Sequence, residues 1–473
     1  MVGIESYGAY VPVYRLNREI LNQVWGGGGK GEKAVANSDE DSLTMGVEAA
    51  RDCLKGIEKN SIDALYFAST SFPFKEKQSA SIMAAALDLS ENVVTADIAS
   101  SLMSGTIALK MALDAVKAGS ANKVLVVAAD CRVPYPNSAY EPILGDGAAA
   151  FLIGQDGVIA EIEGSHYITS EFIGDWRLEF DKGIKNWEDR FIREKGYMPY
   201  LQRAVSELMK AQSSEPKDFS NVVFAAANPG LHTAMARTLR VDPKTQVQDP
   251  MFNTVGNTGV AQVPMMLVSA LEEAKAGDKI LVANYGDGAD AHILKVTEGI
   301  KELGERIGIK KNIASKLMLD NYGKYVKFRK LMEFAPGLDF APRTSLPQIW
   351  RDRQWVYRFH GHKCTKCGKE QFPMQKACIY CQADGKFLEE IPLSDRKGTL
   401  TTYSLDDRAV NVPDLPNVLC VVSLGGGARF FSQMTDRDVN NLKIGMPMEI
   451  TFRRIQEGLG VYSYFWKAKP ARE

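Results

Sequence analysis

The residues whose types and spacing imply chemistry most directly are four thiols, Cys364-x2-Cys367-x10-Cys378-x2-Cys381. Two Cys-x-x-Cys knuckles bring four thiolates to one tetrahedral site, and four sulfurs with no open position predict a structural zinc ion. Redox chemistry is the alternative for such knuckles, and His360 and His362 just upstream are alternative ligands. The other cysteines of the seven, Cys53, Cys131 and Cys420, are scattered, and in a reducing compartment a tight cluster argues for metal over disulfides. A second candidate, Gly26-Gly-Gly-Gly-Lys30, has the glycines of a phosphate loop. Gly31 and Glu32 follow its lysine where Ser or Thr is needed, and no apolar strand precedes it, so it reads as a flexible loop. There is no Gly-x-Ser-x-Gly elbow and no His-Glu-x-x-His run, and the five histidines are dispersed.

The elements that position these groups must come from a chain of 473 residues, long enough for about three domains. Hydrophobic residues make up 45% and charged residues 24%, which excludes disordered and fibrous classes. Fifty-seven basic against 58 acidic residues give a net charge of -1, so no global charge draws the chain to nucleic acid or to a membrane surface. A small ligand is the expected partner. No apolar run reaches the roughly 18 residues of a membrane span, and the N-terminus lacks the pattern of a signal peptide, so a cytoplasmic protein is expected.

One long αβ unit occurs twice. Ala112-Leu-Asp-Ala-Val-Lys-Ala-Gly119 and the following Lys123-Val-Leu-Val-Val match Ala270-Leu-Glu-Glu-Ala-Lys-Ala-Gly277 and Lys279-Ile-Leu-Val. Upstream, Ala64-Leu-Tyr-Phe-Ala pairs with Asn221-Val-Val-Phe-Ala, and downstream Gly145-Asp-Gly pairs with Gly286-Asp-Gly. The helical spacing, glycine stops and buried apolar runs predict mostly parallel sheets covered by helices on both faces. The fold class is therefore α/β, a duplicated core in residues 1–164 and 165–300. The second of these opens with an insertion or lid at 165–215 that carries Trp176, Trp187, Tyr197 and Tyr200. Residues 301–345, punctuated by Pro336, Pro342 and, just beyond, Pro347, read as a linker, 346–390 as a helical lead-in and zinc ribbon, and 391–473 as a small all-β barrel. Five short runs, beginning at Gly398, Val418, Ala428, Met448 and Val461, give that barrel its strands and an OB-type fold. Barrels of this type often bind single-stranded nucleic acid, but the neutral charge disfavours that reading.

The duplicated unit, Ser104-Gly105-Thr106, Gly256-Asn257-Thr258-Gly259 and the paired Gly-Asp-Gly turns together resemble the thiolase superfamily, and within it the 3-hydroxy-3-methylglutaryl-CoA synthase branch. Residues 345–473 resemble the zinc-ribbon plus OB-fold domain that accompanies thiolase-like proteins, here fused. The resemblance implies a five-layered αβαβα core, a homodimer or larger assembly through that core, and an acyl-CoA substrate with CoA as part of it.

Synthases of this branch carry a nucleophilic cysteine shortly before a Gly-Thr helix start, where the helix dipole lowers the thiol pKa. In Asp97-Ile-Ala-Ser-Ser-Leu-Met-Ser-Gly-Thr106 that position falls on Leu102. The family histidine falls on Asn228 and the family glutamate near Ser71, while Asn257 keeps its expected identity. A leucine cannot be acylated, so the resemblance implies aldol or retro-aldol chemistry on a β-hydroxyacyl-CoA without an acyl-enzyme. Ser101, Leu102 and Ser71 are then expected to line the substrate, Asn228 and Asn257 to donate to the thioester oxygen, and Tyr285, with Asp287 close by, to act as base. The alternatives are plain structural roles: a helix cap for Asn257, core packing for Tyr285, a turn for Asp287. Two other functions stay open, a synthase or thiolase with a nucleophile elsewhere, such as Cys131, and an inactive acyl-CoA-binding scaffold for a partner enzyme.

Overall fold

Apolar side chains alternate between two faces along the strands of the first half and the second, and helices cover both faces. In the computed structural model, which describes residues 1–473 except 334–344, 410–411, 459–460 and 473, the chain forms two compact units. The first comprises Met1–Ala36, Asp41–Ala84 and Leu89–Tyr325; the second comprises Asn37–Glu40, Ala85–Asp88 and Val326–Glu473. Pro336 and Pro342 of the expected linker lie outside the described residues.

The nine-stranded sheet of the first unit is built from β1 (Gly3–Tyr10), β2 (Ala64–Ala68), β3 (Val94–Ile98), β4 (Val124–Asp130), β5 (Gly147–Gly154), β6 (Ala160–Thr169), β7 (Asn221–Phe224), β8 (Lys279–Gly286) and β9 (Gly288–Val296). They run in the order β3-β2-β4-β5-β1-β6-β9-β8-β7. The duplication is visible in that order, since β2-β4-β5-β1 on one side mirrors β7-β8-β9-β6 on the other, joined where Gly3 and Ile4 meet Glu161 and Ala160. The expectation of mostly parallel strands is corrected. Only β2 with β3, β2 with β4, and β8 with β7 are parallel, and the five other pairings are antiparallel. Gly286-Asp287-Gly288 is a hairpin turn, so β9 returns beside β8 with no helical crossover.

Five helices complete the layers: α1 (Ser42–Cys53), α2 (Ser104–Lys117), α3 (Met198–Ala211), α4 (Pro229–Leu239) and α5 (Gln262–Glu273). Val223, Ile280, Val282 and Leu294 share one core with α2 and α5, while their neighbours Val222, Phe224, Leu281 and Ile293 share another with α3 and α4. This period-two division of side chains places α2 and α5 inside and α3 and α4 outside, and α1 packs on β1, β4 and β5 from the far side, which gives the αβαβα layering. The insertion starts later than expected, because residues 160–169 form the central strand β6. Residues 301–325 are likewise part of the first unit: a helix at Gly308–Ala314 and a strand, Leu317–Leu319, that pairs with Tyr14–Leu16.

In the second unit, β10 (His360–Cys364), β11 (Glu370–Gln371) and β12 (Leu388–Pro392) form the ribbon sheet. All five expected barrel strands form: β13 (Gly398–Asp406), β14 (Asn417–Ser423), β15 (Arg429–Gln433), β16 (Pro447–Gly458) and β17 (Val461–Pro470). Their order is β15-β14-β13-β16-β17, and a bridge from Met434 to Ala468 nearly closes the barrel. Aromatic rings fill it, with Trp466 at 5.3 Å from Phe452 and 5.5 Å from Phe359, centre to centre. Arg453 is fully buried and ion-paired with Glu40 at 3.0 Å and Asp436 at 2.6 Å.

Candidate active site

The site forms where strand ends of the first unit meet. Asp130, the last residue of β4, is fully buried and its carboxylate accepts five hydrogen bonds. They come from Ser69 Oγ (3.0 Å), Thr70 N (2.8 Å), Thr70 Oγ1 (2.8 Å), Ser71 Oγ (2.8 Å) and Val260 N (2.9 Å). A buried charge is tolerated only when so compensated. The carboxylate thereby ties the loop after β2 to the 256–260 turn. Gly259 must be glycine here, since its φ is +59° and a Cβ would lie 2.3 Å from Asp130 Oδ2. Ser71 also accepts from the Cys131 amide at 2.8 Å, so its hydroxyl is fixed by scaffold on both sides.

Leu102 lies at the start of α2, half-buried against the core. The preceding Ser100 has φ +72°, and no side chain caps the helix at Met103. Leu102 thus sits on the turn that leads into the positive end of α2. Ser101 Oγ accepts from Met103 N at 3.2 Å, and a Cβ on Gly286 would come within 2.8 Å of it, so the β8–β9 hairpin packs directly on this turn. Beneath lies a buried polar chain: Asn284 donates to Thr106 Oγ1 (3.2 Å), Thr106 to Asp290 (2.5 Å), and His292 stands 3.2 Å from Asp290 and 3.0 Å from Ser165 Oγ.

Asn228 caps α4, its Oδ1 accepting from Leu231 N at 3.0 Å. Asn257 Nδ2 donates to the Ala226 carbonyl at 3.2 Å and its Oδ1 accepts from Gly259 N at 2.9 Å, so this amide shapes two loops. The ring of Tyr285 stands edge-on to Tyr197 at 5.4 Å, and its hydroxyl is buried with no hydrogen-bond partner among the described residues. Burial first, and then the charges of Asp175 and Asp287, push its pKa up. Asp287 is exposed at the hairpin turn.

Three residues absent from the sequence-based set join this group. Asp175, in the irregular segment after β6, accepts from the Tyr140 hydroxyl at 2.5 Å and pairs with Arg132 at 3.3 Å. Nearby, Arg177 donates to the Thr70 carbonyl at 2.9 Å, which fastens the segment over the loop that carries Ser71. The only advance signal was the richness of this stretch in charges and aromatic rings.

A cavity of about 560 Å³ lies alongside, lined by Arg18, Trp25, Lys30, Phe252 and Pro229, the neighbour of Asn228. The run Gly27-Gly28-Gly29 forms part of its wall. Arg18 is held by the carbonyls of Pro142 (2.6 Å) and Lys30 (2.8 Å), and burial lowers its pKa.

In the ribbon of the second unit, Cys364 Sγ lies 3.7 Å from Cys381 Sγ and Cys367 Sγ 3.6 Å from Cys378 Sγ, with all four sulfurs within 4.8 Å of one another. A zinc–sulfur bond of about 2.3 Å gives a tetrahedral edge of about 3.8 Å, so the four clustered thiols are compatible with that ion. Each knuckle closes on a left-handed residue, Gly368 (φ 70°) and Gln382 (φ 58°). Among the described residues no helix is long and apolar enough to cross a membrane.

The mirrored halves and the helix start between them define a thiolase-like α/β core. Residues 96–173 match the family model of 3-oxoacyl-[acyl-carrier-protein] synthase III, residues 209–296 its C-terminal model, and residues 390–453 the C-terminal OB-fold domain of ChsH2. The chain is 32% identical over 341 residues to a hydroxymethylglutaryl-CoA synthase of Methanosphaera stadtmanae, covering 70% of this chain and 98% of the relative. It is 32% identical over 345 residues to that of Methanopyrus kandleri, with the same coverage. The chain belongs to the hydroxymethylglutaryl-CoA synthase family. A crystal structure of HMG-CoA synthase complexed with CoA shares its fold at a TM-score of 0.62 and 20% identity, over 73% of this chain and 94% of the other.

Proposed function

We propose that this protein makes or breaks a carbon–carbon bond next to an acyl-CoA thioester by aldol or retro-aldol chemistry, with no acyl group carried on the enzyme. The observation that carries this reading is Leu102, a side chain with no nucleophilic atom on the turn just before α2, where the β8–β9 hairpin packs. In the cleavage direction a base takes the β-hydroxyl proton, the Cα–Cβ bond breaks, and its electron pair passes into the thioester enolate. Asn228 and Asn257 are the donors assigned to the thioester oxygen, and the neutral phenol of Tyr285 adds a third. Ser71, Ser101 and Leu102 shape the acyl site, and Asp287 stands at its rim. The cavity beside Asn228 suits the CoA moiety, with Lys30 and Arg18 for phosphate charge and Trp25 for the base.

The four cysteines would hold a zinc ion that stabilises the ribbon, and no reacting group is routed through it. A homodimer through the αβαβα core completes the proposal, as does a cytoplasmic setting in which four closely spaced thiols remain reduced. Size-exclusion chromatography with light scattering tests the first of these.

The test of the reaction is incubation with a panel of β-hydroxyacyl-CoAs, reading the shortened acyl-CoA and the released carbonyl compound by mass spectrometry. Transfer of labelled acetyl from acetyl-CoA to a protein thiol overturns the reading. That result would favour an acyltransferase through Cys131, whose amide is fixed on Ser71 within the site, and alkylation by iodoacetamide would then abolish activity. Tight CoA-ester binding without turnover would mark an inactive scaffold.

A further inference from the structure

The reaction proposed above needs a group to take the β-hydroxyl proton. We infer that Asp175 is that group, an assignment that rests on the reaction proposed above. Three observations converge on this carboxylate. First, its ion-pair partner Arg132 follows Asp130 by two residues, and a Cβ on Gly259 would lie 2.6 Å from Arg132 Cδ, so the guanidinium stands against the 256–260 turn. Second, the amide of Ser170, five residues earlier in the same segment, donates to the Asp287 carbonyl at 3.1 Å, which ties the segment to the β8–β9 hairpin. Third, Arg177, two residues on, is bonded to the Thr70 carbonyl beside Ser71. Asp175 thus stands where the three loops that build the site come together.

The carboxylate is held and still open. Tyr140 donates to Oδ1 at 2.5 Å and Arg132 reaches Oδ2 at 3.3 Å, which fixes the plane of the group. Its side chain remains 25% exposed, in contrast to the fully enclosed Asp130, whose oxygens are taken up by five donors. A carboxylate oxygen has two lone pairs, and one donor on each leaves capacity for a substrate hydroxyl. Asp175 Oδ takes the β-hydroxyl proton as the Cα–Cβ bond breaks, the carbonyl product leaves, and the same carboxyl returns that proton to the enolate carbon. The cycle ends with Asp175 ionised and no other reactant consumed. Arg132 and Tyr140 are positioning residues in this scheme.

The test uses the full chain and four measurements: affinity for the acyl-CoA, cleavage of β-hydroxyacyl-CoA, exchange of the Cα protons of the product acyl-CoA in D2O, and the pH profile. Asp175→Asn is expected to lower cleavage and Cα exchange about 100-fold or more with unchanged affinity, because a general base contributes about 10²–10⁴-fold. Asp175→Glu is expected to recover part of the rate, and its circular dichroism and melting temperature establish that the segment folds. Tyr140→Phe is expected to shift the acidic limb of the kcat/KM profile while preserving the reaction. Wild-type cleavage with an Asp175→Asn rate within about threefold overturns the role of Asp175 and leaves the reaction standing. Asp175-dependent Cα exchange without cleavage upholds the base and overturns the aldol reading. A wild-type protein that binds acyl-CoA but neither cleaves nor exchanges overturns both.

Discussion

Asn284 Nδ2 donates to the backbone carbonyl of Leu102 at 3.2 Å, so the residue at the start of α2 is fixed by a strand 182 positions further along the chain. This bond holds rigid the backbone at the position that the proposed reading assigns to the nucleophile of the synthases. Leu102→Cys would place a thiol on the positive end of an uncapped helix, and its pKa is expected to fall below the usual 8.5 or so. The rate of iodoacetamide alkylation against pH measures this. The introduced thiol is expected to accept acetyl from acetyl-CoA without restoring synthase turnover, since the resemblance aligns Asn228 and Ser71 with the family's acid–base positions.

Asp130 should govern the stability of the site loops. Asp130→Ala leaves five donors without their acceptor, and a loss of about 3 kcal/mol is expected from breaking a buried charged network. Urea denaturation measures the total. Hydrogen exchange at Thr70 and Val260 should quicken more than exchange in α3, which shares no bond with this carboxylate.

Tyr285→Phe should separate stability from activity. The hydroxyl is buried without a partner among the described residues, which costs about 1–3 kcal/mol, so its removal is expected to raise the melting temperature. Turnover should fall, because the phenol is assigned as a donor to the substrate. An unchanged rate would assign the ring to packing against Tyr197 alone.

The ribbon should depend on metal. Cys364→Ser, or removal of zinc by a chelator, is expected to unfold the ribbon sheet, while the first unit keeps its own core and its own thermal transition. Zinc stoichiometry by plasma emission and a two-transition calorimetric scan test this. Loss of zinc with no loss of structure would contradict it.

His232 predicts a loss of stability in acid. It stacks on Phe224 at 4.4 Å, and burial lowers its pKa from 6.5 to about 4. The unfolded chain then takes up a proton that the fold refuses. The stabilisation is full above pH 6.5 and is lost as pH falls from there toward 4, by up to about 3 kcal/mol. His232→Phe should remove most of that slope in denaturation curves between pH 7 and 4.

What could be seen in advance follows physical lines. The thiols of the ribbon were legible because metal ligation sets its spacing within a short stretch of chain. The duplicated core was legible because buried strands and helices repeat their apolar periods, so Ala64-Leu-Tyr-Phe-Ala and Asn221-Val-Val-Phe-Ala announce the same place in the sheet. Strand direction was not, since Gly286-Asp287-Gly288 reads equally as any tight turn. Asp175, Arg132 and Tyr140 were invisible because they stand on irregular loops with no period, and their meeting spans 43 residues of chain from Arg132 to Asp175. Gly27-Gly28-Gly29 failed the phosphate-loop pattern and still walls the cavity, because a motif test reads spacing and not location.

The second unit is discontinuous in sequence, and this limits how the gene can be shuffled. Arg453, buried in the barrel, has carboxylate partners at Glu40 and Asp436, more than 390 residues apart along the chain. A recombination event that supplied only the C-terminal segment would deliver the guanidinium without Glu40, leaving a buried cation undercompensated. Inheritance of this barrel is therefore tied to the tetrapeptide Asn37–Glu40 far upstream, and a domain swap between homologues would succeed only where all three segments of the unit travel together.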